Sequence, residues 1–183
     1  MIHDSGFMKN KRGFTLVEVI VVIAITAILA SYLIVYGSKS RSQVALSVEQ
    51  AKLIQVLSRA KALAISTYAN PQAPCGYGVH IDSTKNTYAL FSYDVSTCGN
   101  IPSIDMTSQG YQEIETFPLS NRIVFETSGA NVDTVFFLPP DPMTFLWEGS
   151  VQIGSGSGSI RMTASDGSLE SSVSVSTAGQ IGF

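Results

Sequence analysis

Charge is scarce in this chain. Of its 183 residues, Asp, Glu, Lys and Arg together make up only 14%, where about a quarter is usual for soluble domains. After Arg122, Arg161 is the only remaining cation. Phosphate binding is driven by clustered Lys and Arg, so nucleic acid is disfavoured as a partner. Histidine is almost lacking, with only His3 and His80. His80, Cys75 and Cys98 do not have the paired ligand spacing of a structural zinc site, and no metal is expected. No serine sits in a Gly-x-Ser-x-Gly elbow, and no pair of carboxylates stands out. Gly154-Ser-Gly-Ser-Gly158 lacks the Gly-Lys-Ser/Thr ending of a phosphate loop, and no helix follows it; it reads as a flexible hairpin tip. These absences leave no catalytic apparatus, so neither an enzyme nor a cofactor is expected.

What charge there is lies unevenly. The formal net charge is −3; residues 1–13 carry Lys9, Lys11 and Arg12 against Asp4, a net of +2, which leaves −5 for the rest. Directly after this basic segment, Phe14 to Tyr36 runs as FTLVEVIVVIAITAILASYLIVY, with Glu18 its one charge. As a helix these 23 residues reach roughly 34 Å, enough for a hydrocarbon layer of about 30 Å. The positive-inside bias places the basic leader in the cytoplasm and the remainder outside; Lys39 and Arg41 weaken that bias without cancelling it.

A secretory signal peptide has a shorter apolar core, about 7–15 residues, and then a small-x-small cleavage site. Here Ala27-Ile28-Leu29-Ala30 is followed by more apolar residues. A permanent signal anchor fits the length equally well. Glu18 argues against it, because an acidic residue in a membrane span costs about 2.5–3.5 kcal/mol on insertion scales. Cleavage between Gly13 and Phe14 creates an α-ammonium at Phe14, and a Glu one turn along a neighbouring helix can meet it.

Lys11-Arg12-Gly13-Phe14-Thr15-Leu16-Val17-Glu18 closely resembles the processing site of type IV pilins and type II secretion pseudopilins. The resemblance implies cleavage after Gly13 and N-methylation of Phe14 by a prepilin peptidase in the bacterial inner membrane. It also implies an assembly role for Glu18 and partnership with other pilin or pseudopilin subunits, an assembly platform and an ATPase. Met1 and Met8 both stand as candidate starts.

Beyond Gly37, Val44, Val48, Ala51, Ile54, Leu57, Ala60 and Ala64 recur at three- and four-residue steps and read as one apolar stripe. Gln43, Glu49, Gln50, Gln55, Arg59 and Lys61 fall mostly elsewhere. Asn70-Pro71 and Pro74 end the helix near Tyr68. Short strands follow at Tyr77–Ile81, Thr87–Tyr93, Arg122–Glu126, Thr134–Leu138, Ser150–Ile153, Ser159–Thr163 and Val173–Ser176, with a hairpin loop at Asp82–Asn86. Pro139, Pro140 and Pro142 close one strand. Phe136, Phe137, Phe145 and Trp147 bracket that cluster as core or as an exposed adhesive patch.

The expected fold is α+β, a long N-terminal helix packed on a mainly antiparallel sheet. Its segments are a cleaved leader (1–13), a transmembrane or filament-core helix (14–37), an amphipathic continuation (38–69) and a β-rich head (75–183). Cys75 and Cys98 lie beyond the apolar run; in an exported head this even pair reads as one disulfide, stabilising by about 3–4 kcal/mol, and two unpaired thiols are the alternative. Leu57–Ile65 running into Gly76-Tyr-Gly-Val79, and the closing hairpin around Asp166-Gly167, are similar to the minor, H-type branch of the family.

Overall fold

The computed structural model describes residues 14–68, 73–94, 98, 104, 106–127, 131–139 and 143–183. The leader with Gly13, the Asn70-Pro71 breaker, Pro140 and Pro142 lie outside the described residues. The architecture is an N-terminal helix and a mainly antiparallel β region, in the order α1 (Leu16–Thr67), β1 (Gly76–Asp82), β2 (Thr87–Tyr93), β3 (Tyr111–Pro118), β4 (Ile123–Phe125), β5 (Thr134–Leu138), β6 (Met143–Glu148), β7 (Val151–Ile153), β8 (Ser157–Ala164), β9 (Glu170–Ser176) and β10 (Ile181–Gly182). The chain divides into two compact units between Lys39 and Ser40.

In the second unit the strands form two sheets, ordered β3-β2-β1-β5-β6-β7 and β10-β9-β8-β4. The β1–β2 hairpin is set by its turn: Asp82 Oδ1 accepts from the Thr84 and Lys85 amides at 3.0 and 3.1 Å. Asn86, in the left-handed region at φ 52°, accepts the Phe125 amide on its side chain at 3.1 Å, which ties this turn to β4 of the other sheet. β8 and β9 pair from Ser157↔Ser176 to Thr163↔Glu170 around the Asp166-Gly167 turn.

Between the sheets lies the main core. Leu46, Leu53, Val56, Leu57, Ala60 and Ala64 of α1 meet Val79, Leu90, Val135 and Leu146 of the larger sheet and Ile123, Ile160, Met162 and Val173 of the smaller. The larger sheet also buries its other face. Phe91, Tyr93, Phe136 and Trp147 form a second cluster there, with Phe91 and Phe136 stacked at 6.1 Å. Burial on both faces explains why Val135-Phe136-Phe137 reads as a continuous apolar run. These aromatics are core, with Phe145 half-buried beside Trp147.

Three expectations need correction. The inward face of α1 runs through Ser42, Leu46, Glu49, Leu53, Val56, Leu57, Ala60 and Ala64, while Val44, Val48 and Ala51 are exposed. Each three-residue step falls about 60° short of a turn, so a series of such steps walks around the helix instead of keeping to one side. Gly154-Ser-Gly is not a hairpin tip, because β7 belongs to the six-stranded sheet and β8 to the four-stranded one; it carries the chain from one sheet to the other. Finally, β3, β6 and the two-residue β10 are not among the expected strands. β3 is an edge strand with exposed Gln112, Glu113 and Glu115, charge that blunts an open edge and hides the strand pattern.

Glu49 is thereby buried in the inward face at 3% exposure. Lys52 Nζ reaches its Oε1 at 3.0 Å, whereas Oε2 has no hydrogen-bond partner among the described residues. Burial first, and the Glu49 carboxylate second, push the Tyr88 phenol up to about 12.

Candidate assembly site at the N-terminal helix

Among the described residues of the first unit, α1 begins at Leu16 and is apolar, and every side chain from Phe14 to Leu33 is exposed. Leu16–Leu33 is long and apolar enough to cross a membrane, and none of it is buried. Val17, Val19, Val21, Val22 and Ile23 are β-branched, a composition that favours helix only weakly in water. In an apolar surrounding the helix is enforced instead, since the backbone must satisfy its own hydrogen bonds. Thr26 Oγ1 donates to the Ile23 carbonyl at 2.9 Å, and Ser31 Oγ to the Ala27 carbonyl at 2.9 Å, so both hydroxyls are satisfied within the helix. Leaving this many Val, Leu and Ile side chains in water costs on the order of 20 kcal/mol at 1.5–3 kcal/mol each. Lipid or other apolar helices around it would remove that cost.

The start of α1 is a reciprocal cap. Thr15 Oγ1 accepts the Glu18 amide at 3.3 Å, and Glu18 Oε2 accepts the Thr15 amide at 2.8 Å and the Thr15 hydroxyl at 2.9 Å. This is the capping-box pattern, in which each of two residues satisfies the other's otherwise unpaired amide. Thr15 was not singled out from the sequence, although Thr-x-x-Glu before an apolar run is the signature of such a box. The carboxylate is thus fixed at the helix start, where the partial positive charge of the N-terminus favours it. Glu18 Oε1 takes no part in these bonds.

Phe14 immediately precedes the cap and is 85% exposed. Cleavage at its amide nitrogen leaves the Thr15 amide and hydroxyl in place, so the Thr15–Glu18 pairing is available before and after processing. Away from this unit, Cys75 and Cys98 are joined by a disulfide with Cα atoms 5.2 Å apart. His80 lies in β1 with Nδ1 3.0 Å from Thr134 Oγ1. Among the described residues the one cluster with metal-ligand atoms in reach is Cys75, Asp94 and Cys98, and its two sulfurs are bonded to each other.

Comparison with known families places one match here. The model of the prokaryotic N-terminal methylation motif matches residues 8–34, spanning the Gly13–Phe14 junction, the cap and the apolar span. No curated protein and no solved structure matches the chain. The chain carries this motif, which is consistent with the type IV pilin and pseudopilin family. A pilin-type motif implies a prepilin-peptidase substrate that interacts with that peptidase and with other pilin subunits. Motif and apolar helix together are compatible with a membrane-anchored protein.

Proposed function

We propose that the chain is a structural subunit, a minor pilin or pseudopilin, of a type IV pilus or a type II secretion pseudopilus. It is made as an inner-membrane precursor with its leader in the cytoplasm, cut after Gly13 and N-methylated at Phe14. A platform protein and an ATPase then extract it, and its role is structural rather than enzymatic. The observation that carries this reading is the uncovered apolar helix headed by the methylation motif. Moving that helix from lipid into a bundle changes apolar surroundings little, so packing and polar pairing decide the direction. Glu18 Oε1, outside the cap, meets the Phe14 ammonium of a neighbouring subunit, while Oε2 stays on Thr15. Within the family, Leu57–Ile65 leading into β1 and the β8–β9 hairpin favour the H-type pseudopilins.

One observation favours a second reading. The capping box gives Glu18 a partner in its own chain, which a permanently anchored, non-polymerising protein with a β-rich extracytoplasmic domain also uses. Mass spectrometry of protein extracted from membranes that contain a prepilin peptidase separates the two. A chain beginning at methylated Phe14 supports the filament subunit. An intact leader supports the anchor.

A further inference from the structure

The two residues of the disulfide differ in exposure. Cys75 is 4% exposed, whereas Cys98 is exposed, and an open cavity of about 270 Å³ walled by Tyr68, Pro74, Leu138 and Pro139 borders both cysteines. Of the two, Cys98 is therefore the residue more open to a small thiol. Asp94, just past β2, places Oδ1 3.7 Å from Cys75 Sγ. Its amide is bonded to the Gly110 carbonyl at 2.9 Å. A Cβ at Gly110 would lie 1.8 Å from the Asp94 carbonyl oxygen, so this close backbone pairing requires glycine there.

We infer that Asp94 guards the Cys75–Cys98 bond kinetically, making it slow to exchange with thiols although one of its two residues is exposed. In exchange, an incoming thiolate forms a bond to Cys98 Sγ, the Cys75–Cys98 bond breaks, and the electron pair leaves on Cys75 Sγ. That leaving sulfur is buried and faces a carboxylate. Both conditions disfavour a thiolate, and a thiol that ionises poorly leaves slowly. A proton from solvent then neutralises Cys75. The incoming thiolate meets the same negative charge on approach. Nothing in this depends on whether the chain polymerises.

The test is the rate of reduction of the full-length protein in detergent by dithiothreitol at pH 8, quenched with iodoacetamide and read by mass. Asp94→Asn is expected to lose the disulfide about tenfold faster than the unsubstituted protein, with an unchanged midpoint of thermal unfolding. Rates within twofold of each other overturn the inference. Asp94→Ser, with a smaller neutral side chain, is the second variant should the Asn protein fail to fold. A brief reaction of the unsubstituted protein with 2-mercaptoethanol is expected to give the mixed disulfide on Cys98 and a thiol on Cys75; an adduct on Cys75 also overturns it.

Discussion

Glu18 and Thr15 hold each other at the head of the apolar helix, the hydroxyl of one taking the amide of the other and the carboxylate returning the bond at 2.8 Å. A cap and an intersubunit ion pair make different demands on this residue, and Gln separates them. Glu18→Gln keeps an acceptor for the Thr15 amide, as capping boxes allow, but removes the charge on which the proposed pairing with a neighbour's ammonium rests. Processing at Gly13 is expected to survive, with incorporation into sheared filaments at least about tenfold lower, as for Glu18→Ala. Thr15→Ala loses only the cap, about 1 kcal/mol, and is expected to incorporate far better. Normal incorporation of the Gln protein leaves the carboxylate with a capping role alone.

Glu49 supplies a prediction of the opposite sign. Among the described residues its Oε2 is buried without a hydrogen-bond partner, and Lys52, on Oε1, is half exposed. Removing the carboxylate therefore strands no buried cation. Glu49→Met is expected to stabilise the head by about 1 kcal/mol, raising the thermal midpoint of the detergent-solubilised protein by a few degrees. A lowered midpoint would assign this carboxylate a stabilising role.

His80 sets a pH dependence. Burial lowers its pKa from the ordinary 6.5, outweighing the opposing pull of Asp133, Asp82 and Glu113. Between the folded and unfolded values the unfolded chain binds more protons, so stability rises with pH. The contribution is complete above about 6.5 and is lost as pH falls toward the folded value. Urea midpoints at pH 7.5 and 5 are expected to differ less in His80→Gln than in the parent. An identical difference in the two proteins would remove His80 as the source.

Gly78 is the tightest test of the sheet. A Cβ there would come within 2.5 Å of Phe91 Cζ and 2.5 Å of the Val135 carbonyl oxygen. The ring can turn, but the carbonyl belongs to the β1–β5 ladder. Gly78→Ala is expected to cost about 1–3 kcal/mol by overpacking. Gly154→Ala, with nothing within 4 Å, is the control and is expected to stay within about 0.5 kcal/mol. Equal unfolding midpoints in urea would mean that β1 moves away to make room.

Much of this was legible in the sequence where signals are local. The Asp82–Asn86 turn, the Asp166-Gly167 hairpin and the end of α1 near Tyr68 each follow from turn residues or breakers. The inward helix face was not legible, because Val44 and Val48 are as apolar as Leu46 and Leu53 and only the sheets decide which pair is covered. β3 escaped notice because its charged side chains lie on an edge, and β6 because Met143–Glu148 follows the prolines without clean alternation. At the assembly site Glu18 stood out as the one charge in an apolar run. Thr15 did not, although its spacing to Glu18 was equally visible.

The stretch of α1 from Ser40 onward is fastened to both sheets. Besides the shared core, Gln50 donates to the Ser172 carbonyl of β9, Arg59 pairs with Glu115 of β3, and Lys61 donates to the carbonyl of Gly179 beyond β9. A pull along this helix stretches all those attachments together as shear, where a pull across it would unzip them one after another. Tension delivered lengthwise therefore meets the whole seam at once, and the head follows its helix without being stripped from it.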